Sequence, residues 1–124
     1  MSLLLDTHVL LWWLADEPLS DDARAAISDG RTAVRVSAAS AWEIAIKKAL
    51  GKLQAPDDLP EQLERHRFQP LPITVQHGLA VADLPLLHGD PFDRMLAAQA
   101  RLESLTLVTR DERLAAYGVP TLAA

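Results

Sequence analysis

The chain of 124 residues contains no cysteine, which excludes disulfides and thiolate-bound zinc or iron–sulfur centres. Its five glycines are isolated from one another, so no glycine-rich loop is available to cradle a phosphate. No serine lies in a nucleophile-elbow motif. The apolar stretch at residues 9–15 is too short to span a bilayer, and no basic leader precedes it. We therefore expect a cytoplasmic protein without a membrane segment.

Basic residues are also in deficit. Twelve Lys and Arg oppose seventeen Asp and Glu, giving a net charge of −5. Sequence-independent binding of nucleic acid normally needs a basic surface, so this balance argues against it. The objection is partial, because acids that hold a cation change the local field. Any affinity for nucleic acid must then come from local basic residues or from the metal.

The remaining composition is that of a globular domain, with 49% hydrophobic and 23% charged residues, and we expect a single domain over residues 1–124. Strand and helix patterns alternate, which predicts an α/β fold with a mainly parallel sheet. The continuously apolar first strand should be central, and the third, with two prolines, should lie at an edge. Strands are predicted at residues 2–6, 32–36, 68–73, 105–109 and 119–122. Helices are predicted at residues 7–15, 20–28 (capped by Ser20), 40–50 (capped by Ser37 or Ser40), 56–66, 75–84, 91–103 and 111–117.

Four carboxylates lie at the junctions of these elements. Asp6 and Asp111 follow apolar strands, and Glu43 and Asp93 fall in the opening turns of helices. In a parallel sheet, strand C-termini and helix N-termini face one crevice, where ligands bind. Carboxylates gathered there repel one another unless a cation neutralises them, and hard oxygen ligands suit Mg²⁺ or Mn²⁺. The sequence therefore predicts a divalent-metal site.

Each acid also has a purely structural interpretation. Asp6 and Asp111 are typical helix N-caps, and Asp93 is well placed to stabilise a helix dipole in the first turn. Asp90, directly before Pro91, is assigned to capping, which leaves Asp93 for the site. These alternatives stay open at this point, and the coincidence of four acids at one kind of junction favours the metal.

Glu43 has structural alternatives of its own, an ion pair with Lys47 or a capping box with Ser40. On a helical wheel it flanks an apolar stripe that predicts the buried face of its helix, while Ile44 should be exposed and contact a partner protein. The predicted stripe consists of Trp42, Ile46, Ala49, Leu50 and Leu53.

Three neighbouring residues are further candidates. Thr7 is either a helix cap or a hydroxyl close to the metal or a phosphate. Arg94 and Arg110 adjoin two of the acids, and either neutralise them through salt bridges or bind a phosphate.

Four segments of the sequence together resemble the PIN-domain family, and more narrowly the VapC-type toxins of bacterial type II toxin–antitoxin modules. The resemblance runs the full length of the chain, and its Asp-Pro-Phe-Asp-Arg and Thr-Arg-Asp blocks are specific in this order. The segments are Leu-Leu-Leu-Asp-Thr-His at 3–8, Ser-Ala-Trp-Glu-Ile at 40–44, Asp-Pro-Phe-Asp-Arg-Met-Leu-Ala-Ala-Gln-Ala at 90–100 and Leu-Val-Thr-Arg-Asp at 107–111.

The resemblance implies a three-layer α/β/α domain with four to five strands. It places the family's acidic metal site on Asp6, Glu43, Asp93 and Asp111, with Thr109 at a position where the family often has a hydroxyl. It implies an endoribonuclease that requires Mg²⁺ or Mn²⁺, forms a homodimer and is inhibited by a cognate antitoxin. A metal-activated water would cut the phosphodiester, leaving a 5′-phosphate and a 3′-hydroxyl if the 2′-hydroxyl takes no part.

Two other classes of protein gather acids in this way. A phosphoryl-transfer or receiver-like domain would have a second aspartate where His8 stands, or a lysine at a late strand end, and both are absent. A non-catalytic PIN-like module that binds protein or RNA would use the acids only as helix caps. The presence of all four acids favours the nuclease over that module.

Overall fold

The computed structural model describes residues 1–87 and 89–124, and in them the predicted alternation of strand and helix is confirmed. No helix in these two ranges is long and apolar enough to cross a membrane. The strands are β1 (Ser2–Leu5), β2 (Ala33–Ser37), β3 (Gln69–Leu71), β4 (Thr106–Thr109) and β5 (Thr121–Ala123). The helices are α1 (Thr7–Leu14), α2 (Asp21–Ser28), α3 (Ala38–Ala49), α4 (Leu59–Arg65), α5 (Val75–Ala80, followed by a 3-10 turn over Val81–Asp83), α6 (Pro91–Leu102) and α7 (Glu112–Ala115).

The strands form one sheet in the order β3-β2-β1-β4-β5, and every pairing is parallel. As predicted, the apolar β1 is central and β3 lies at an edge, where Pro70 removes a backbone donor at little cost. Alternate side chains of β1 enter opposite cores: Leu3 and Leu5 pack with Val9 on one face, and Leu4 packs with Leu96 on the other. Helices therefore cover both faces, and the α/β/α prediction is confirmed.

Helix boundaries follow local capping. Ser20 accepts a hydrogen bond from the backbone N–H of Ala23 at the start of α2, as predicted. Ser37, rather than Ser40, caps α3 by accepting from the N–H of Ala39. The last helix is shorter than predicted because Asp111 is its cap and Gly118 has φ +78° just beyond its end.

The predicted buried face of α3 is wrong. Trp42 is 60% exposed and Leu50 62% exposed, whereas Ile44, predicted to face a partner, is 4% exposed. The helix instead buries its small and polar flank, where Ser40 hydrogen-bonds Thr7 of α1. Small side chains on this flank let α3 approach α1 closely. The packing gained by this approach is more favourable than burial of the larger apolar face that carries Trp42 and Leu50. The proposed contact of Ile44 with a partner is therefore also wrong.

The two isoleucines of α3 test this orientation with the same chemical change. We expect Ile44→Ala to lower the free energy of unfolding by about 3 kcal/mol, because it leaves a cavity in the core. Ile46→Ala, at a side chain that is 37% exposed, should cost about 1 kcal/mol or less. Urea unfolding of both variants measures the difference. Equal losses would contradict the orientation of α3.

Candidate active site

The site begins where β1 and β4 end side by side. The Thr109 hydroxyl donates to Oδ2 of Asp6 at 2.6 Å and accepts from the backbone N–H of Asp111 at 3.0 Å. The other Asp6 oxygen, Oδ1, accepts from the N–H of His8 at 2.9 Å, so Asp6 also caps α1. Thr109 thus links the acid after β1 to the acid after β4. The resemblance alone pointed to this hydroxyl, and its contacts tie it to both acids.

The charge on Asp6 is stabilised although the residue is only 6% exposed. Burial would raise the pKa of its carboxyl, but hydrogen bonds from His8 and Thr109 outweigh burial and lower the pKa below its ordinary value. The Asp6 carboxylate, whose Oδ1 lies 3.7 Å from Nδ1 of His8, in turn raises the pKa of His8. Asp6 is therefore held as a carboxylate at neutral pH.

Two further acids come from helix starts. The side chain of Asp90 accepts from the N–H groups of Phe92 and Asp93, which confirms its predicted capping role and places Asp93 in the first turn of α6. Asp111 caps α7, and its two oxygens accept a bidentate pair from Arg113 at 3.0 and 2.9 Å.

These side chains line one open cleft of about 340 Å³ at the carboxyl edge of the sheet. Three of the four predicted acids, together with Asp90, are there, as the junction pattern predicts. The cleft is lined by Asp6, His8, Trp12, Asp90, Asp93, Arg110, Asp111 and Arg113.

Glu43 lies outside the lining of the cleft and is 2% exposed. Its Oε2 accepts from Nζ of Lys47 at 2.6 Å, which confirms the ion pair foreseen as an alternative, while its buried Oε1 has no hydrogen-bond partner among the described residues. The hydrogen bond that Lys47 donates to Glu43 raises the pKa of Lys47, and the charges of Asp90 and Asp93 add to that effect. Glu43 and Lys47 are therefore within electrostatic range of the cleft.

In this conformation no three His, Asp or Glu side chains within residues 1–87 and 89–124 are grouped closely enough to hold one metal ion. Asp6 is engaged by Thr109 and His8, Asp111 by Arg113, and Glu43 by Lys47. The acids are collected at one edge of the sheet, but Asp6, Asp111 and one oxygen of Glu43 already accept hydrogen bonds from protein donors.

The other candidates separate into two groups. Thr7 donates to the Ser40 hydroxyl at 2.9 Å and so joins α1 to α3. Arg94 points away from the cleft, and its guanidinium donates to the carbonyls of Val81 and Pro85. Arg110 lines the cleft.

Sequence reasoning missed Trp12 and Arg113 as lining residues of the cleft. The sequence could have predicted Trp12 as a lining residue, because Trp12 is four residues after His8 and therefore lies on the same face of α1. No comparable signal marks Arg113, because its position depends on how α7 starts.

A parallel α/β sheet with acids gathered at its carboxyl edge defines a class of domain that binds ligands at that edge. The sequence model of the PIN domain family matches residues 3–120, which is nearly the whole chain. The chain belongs to the PIN domain family.

Two curated relatives are ribonucleases of Mycobacterium tuberculosis. Ribonuclease VapC22 is 29% identical over 123 residues, covering 96% of this chain and 94% of that protein. Ribonuclease VapC16 is 39% identical over 61 residues, so this match spans only 46% of this chain and 43% of that protein.

Solved structures show the same fold at low identity. The VapBC2 complex of Rickettsia felis, bound to a DNA fragment from its promoter, superposes with a TM-score of 0.73 at 15% identity, covering 99% of this chain and 98% of that one. The DNA-bound VapBC complex of Salmonella typhimurium gives a TM-score of 0.71 at 18% identity, with the same coverage.

Proposed function

We propose that this protein is the toxin of a toxin–antitoxin module and acts as a metal-dependent endoribonuclease. The main support for the proposal is that Asp6, Asp93 and Asp111 line the same cleft of a PIN domain, and that Glu43 is buried close to this cleft. The relatives named ribonuclease support the reaction, and the VapBC complexes support an antitoxin partner.

The residues fit a hard divalent cation such as Mg²⁺ or Mn²⁺. All four donors are carboxylates, and the buried Oε1 of Glu43 is an acceptor with no donor among the described residues. An unsatisfied buried acceptor is costly, so a cation offers it a partner that the protein does not. Asp6, Glu43, Asp93 and Asp111 would hold the ion. When bound, it would supply positive charge to the phosphodiester and acidify the attacking water.

The chain's own residues prepare the site. Thr109 and the N–H of His8 fix both oxygens of Asp6, so its orientation is set before substrate arrives. Asp90 holds the first turn of α6, which positions Asp93. Lys47 neutralises Glu43, so a cation would have to compete with its ammonium group. The cleft is open, which allows a strand of RNA to reach the acids.

We further propose that the toxin is a homodimer and that the antitoxin masks its cleft. A basic side chain of the antitoxin would be complementary to the acids there. Because Ile44 is buried, the antitoxin does not bind through that residue.

Cleavage of a mixture of tRNA and rRNA by antitoxin-free protein tests the proposal. We expect discrete products in Mn²⁺, none in EDTA, and none from an Asp6→Asn preparation purified in parallel. Absence of products from folded wild-type protein that binds the metal would favour the non-catalytic binding module, for which the acids serve only as helix caps.

A further inference from the structure

The cleft is lined by aromatic and basic side chains as well as by acids. His8, Trp12, Arg110 and Arg113 bring aromatic and cationic groups to it. A chain of net charge −5 needs a local cation to attract a polyanion, and this wall is the part of the cleft that offers one.

The cations in this wall differ in how far they are neutralised. Arg113 is committed to Asp111 through its bidentate pair, and His8 lies 3.7 Å from Oδ1 of Asp6. Arg110 contacts no Asp or Glu side chain within residues 1–87 and 89–124. Unlike His8 and Arg113, Arg110 is therefore not paired with an acid of the cleft, and its guanidinium can still offer charge to a ligand.

Arg110 is nevertheless held in place. Its Nε donates to the main-chain oxygen of Ala124 at 3.1 Å, one terminal nitrogen donates to the carbonyl of Pro18 at 2.6 Å, and its Cζ lies 4.0 Å from the centre of the Trp12 ring. A guanidinium has five N–H donors, so these two hydrogen bonds leave others for a ligand. The guanidinium group is planar and weakly hydrated, and its forked donors match the geometry of a phosphate group. An arginine held in place in this way is therefore well suited to bind phosphate.

We propose that Arg110, supported by Trp12, binds a backbone phosphate of the RNA next to the bond that is cut. The inference rests on the proposed ribonuclease function and adds the contact through which an acidic protein holds its substrate. Phosphate contacts position a strand without reading its sequence. Arg110 is accordingly a binding residue, and Trp12 is a positioning residue that acts through it.

The dependence of RNA affinity on salt tests the contact. Binding of a fluorescent single-stranded RNA of mixed sequence is measured by anisotropy over a KCl series, in an Asp93→Asn background that prevents cutting. We expect Arg110→Gln to weaken binding about tenfold and to reduce the slope of log K against log salt by about 0.7, the value for one phosphate on a single strand. A merely structural role would leave the slope unchanged.

A second arginine–tryptophan pair provides the matched control. Arg24 lies 5.8 Å from the ring of Trp13 and is bonded to the carbonyl of Glu17, but it does not line the cleft. Arg24→Gln should leave both affinity and slope unchanged. Arg110→Lys should keep the slope, because it keeps the charge, while losing affinity with the planar fork.

An Arg110→Gln slope equal to that of the unsubstituted arginine would overturn the inference, as would equal losses in the Arg24 and Arg110 variants. Cleavage by the wild-type protein is scored separately. If the wild type cuts no RNA but the slope falls at Arg110, the nuclease function fails and the phosphate contact stands.

Discussion

Replacing Asp93 by asparagine is expected to reduce RNA cleavage by more than about 100-fold while the protein stays folded. Outer-shell partners of metal ligands already contribute about 10- to 100-fold, and Asp93 is proposed as a direct ligand. The cost in stability should be about 1 kcal/mol, the upper end of the range for an exposed carboxylate in the first turn of a helix. Initial rates with Mn²⁺ and a urea unfolding curve give the two values.

Asp22 supplies the matched control for this change. It is also a first-turn aspartate, in α2, but it does not line the cleft. Asp22→Asn should alter stability by a similar small amount and leave cleavage at the wild-type rate. Cutting by purified Asp93→Asn protein at the wild-type rate would refute the assignment of this residue to the site.

The second large effect is expected at Lys47, whose removal leaves the Glu43 carboxylate buried without its counterion. We expect Lys47→Met to lower the free energy of unfolding in EDTA by about 2 to 3 kcal/mol. This is less than the about 3 to 5 kcal/mol for a fully buried pair, because the Lys47 side chain is 35% exposed. In millimolar Mg²⁺ the loss should shrink, since the cation replaces the ammonium group.

Lys48, the next residue, makes this experiment well controlled. Its side chain is also 35% exposed, but its partner Asp57 is 96% exposed, whereas the Glu43 side chain is 3% exposed. Lys48→Met should therefore cost about 0.5 kcal/mol or less. The double variant Glu43→Leu with Lys47→Met should recover most of the loss, because no buried charge remains. Equal losses at Lys47 and Lys48 would show that the burial of Glu43 does not matter.

Much of this fold follows from local pattern. The uninterrupted leucines of β1 predict a strand covered on both faces, and the prolines around β3 predict an edge, because neither pattern needs knowledge of distant contacts. The buried face of α3 could not be predicted in this way. A helical wheel ranks faces by apolar area, but the packing of α3 depends on which side chains are small enough for α1 to approach, and that is a tertiary property.

In the candidate site, too, some features follow from local pattern and topology, whereas others depend on tertiary contacts. The topology of a parallel sheet is enough to place Asp6, Asp93 and Asp111 at one edge, and a single aspartate acts as both helix cap and cleft acid, so the two interpretations do not exclude each other. The place of Arg110 beside the acids follows from its position before Asp111, but the orientation of its guanidinium could not be predicted, because it depends on Trp12 and on backbone oxygens far away in the sequence.

The pairing of β1 with β4 also determines when the cleft exists during synthesis. Asp6 is translated about a hundred residues before Thr109 and Asp111, which complete its surroundings. At about 5 to 20 residues per second, a ribosome needs about 5 to 20 seconds to make the intervening hundred or so residues. Throughout that interval the nascent chain carries only part of the site. A chain that ends before β4 would therefore lack a complete cleft, because neither Thr109 nor Asp111 would be present beside Asp6.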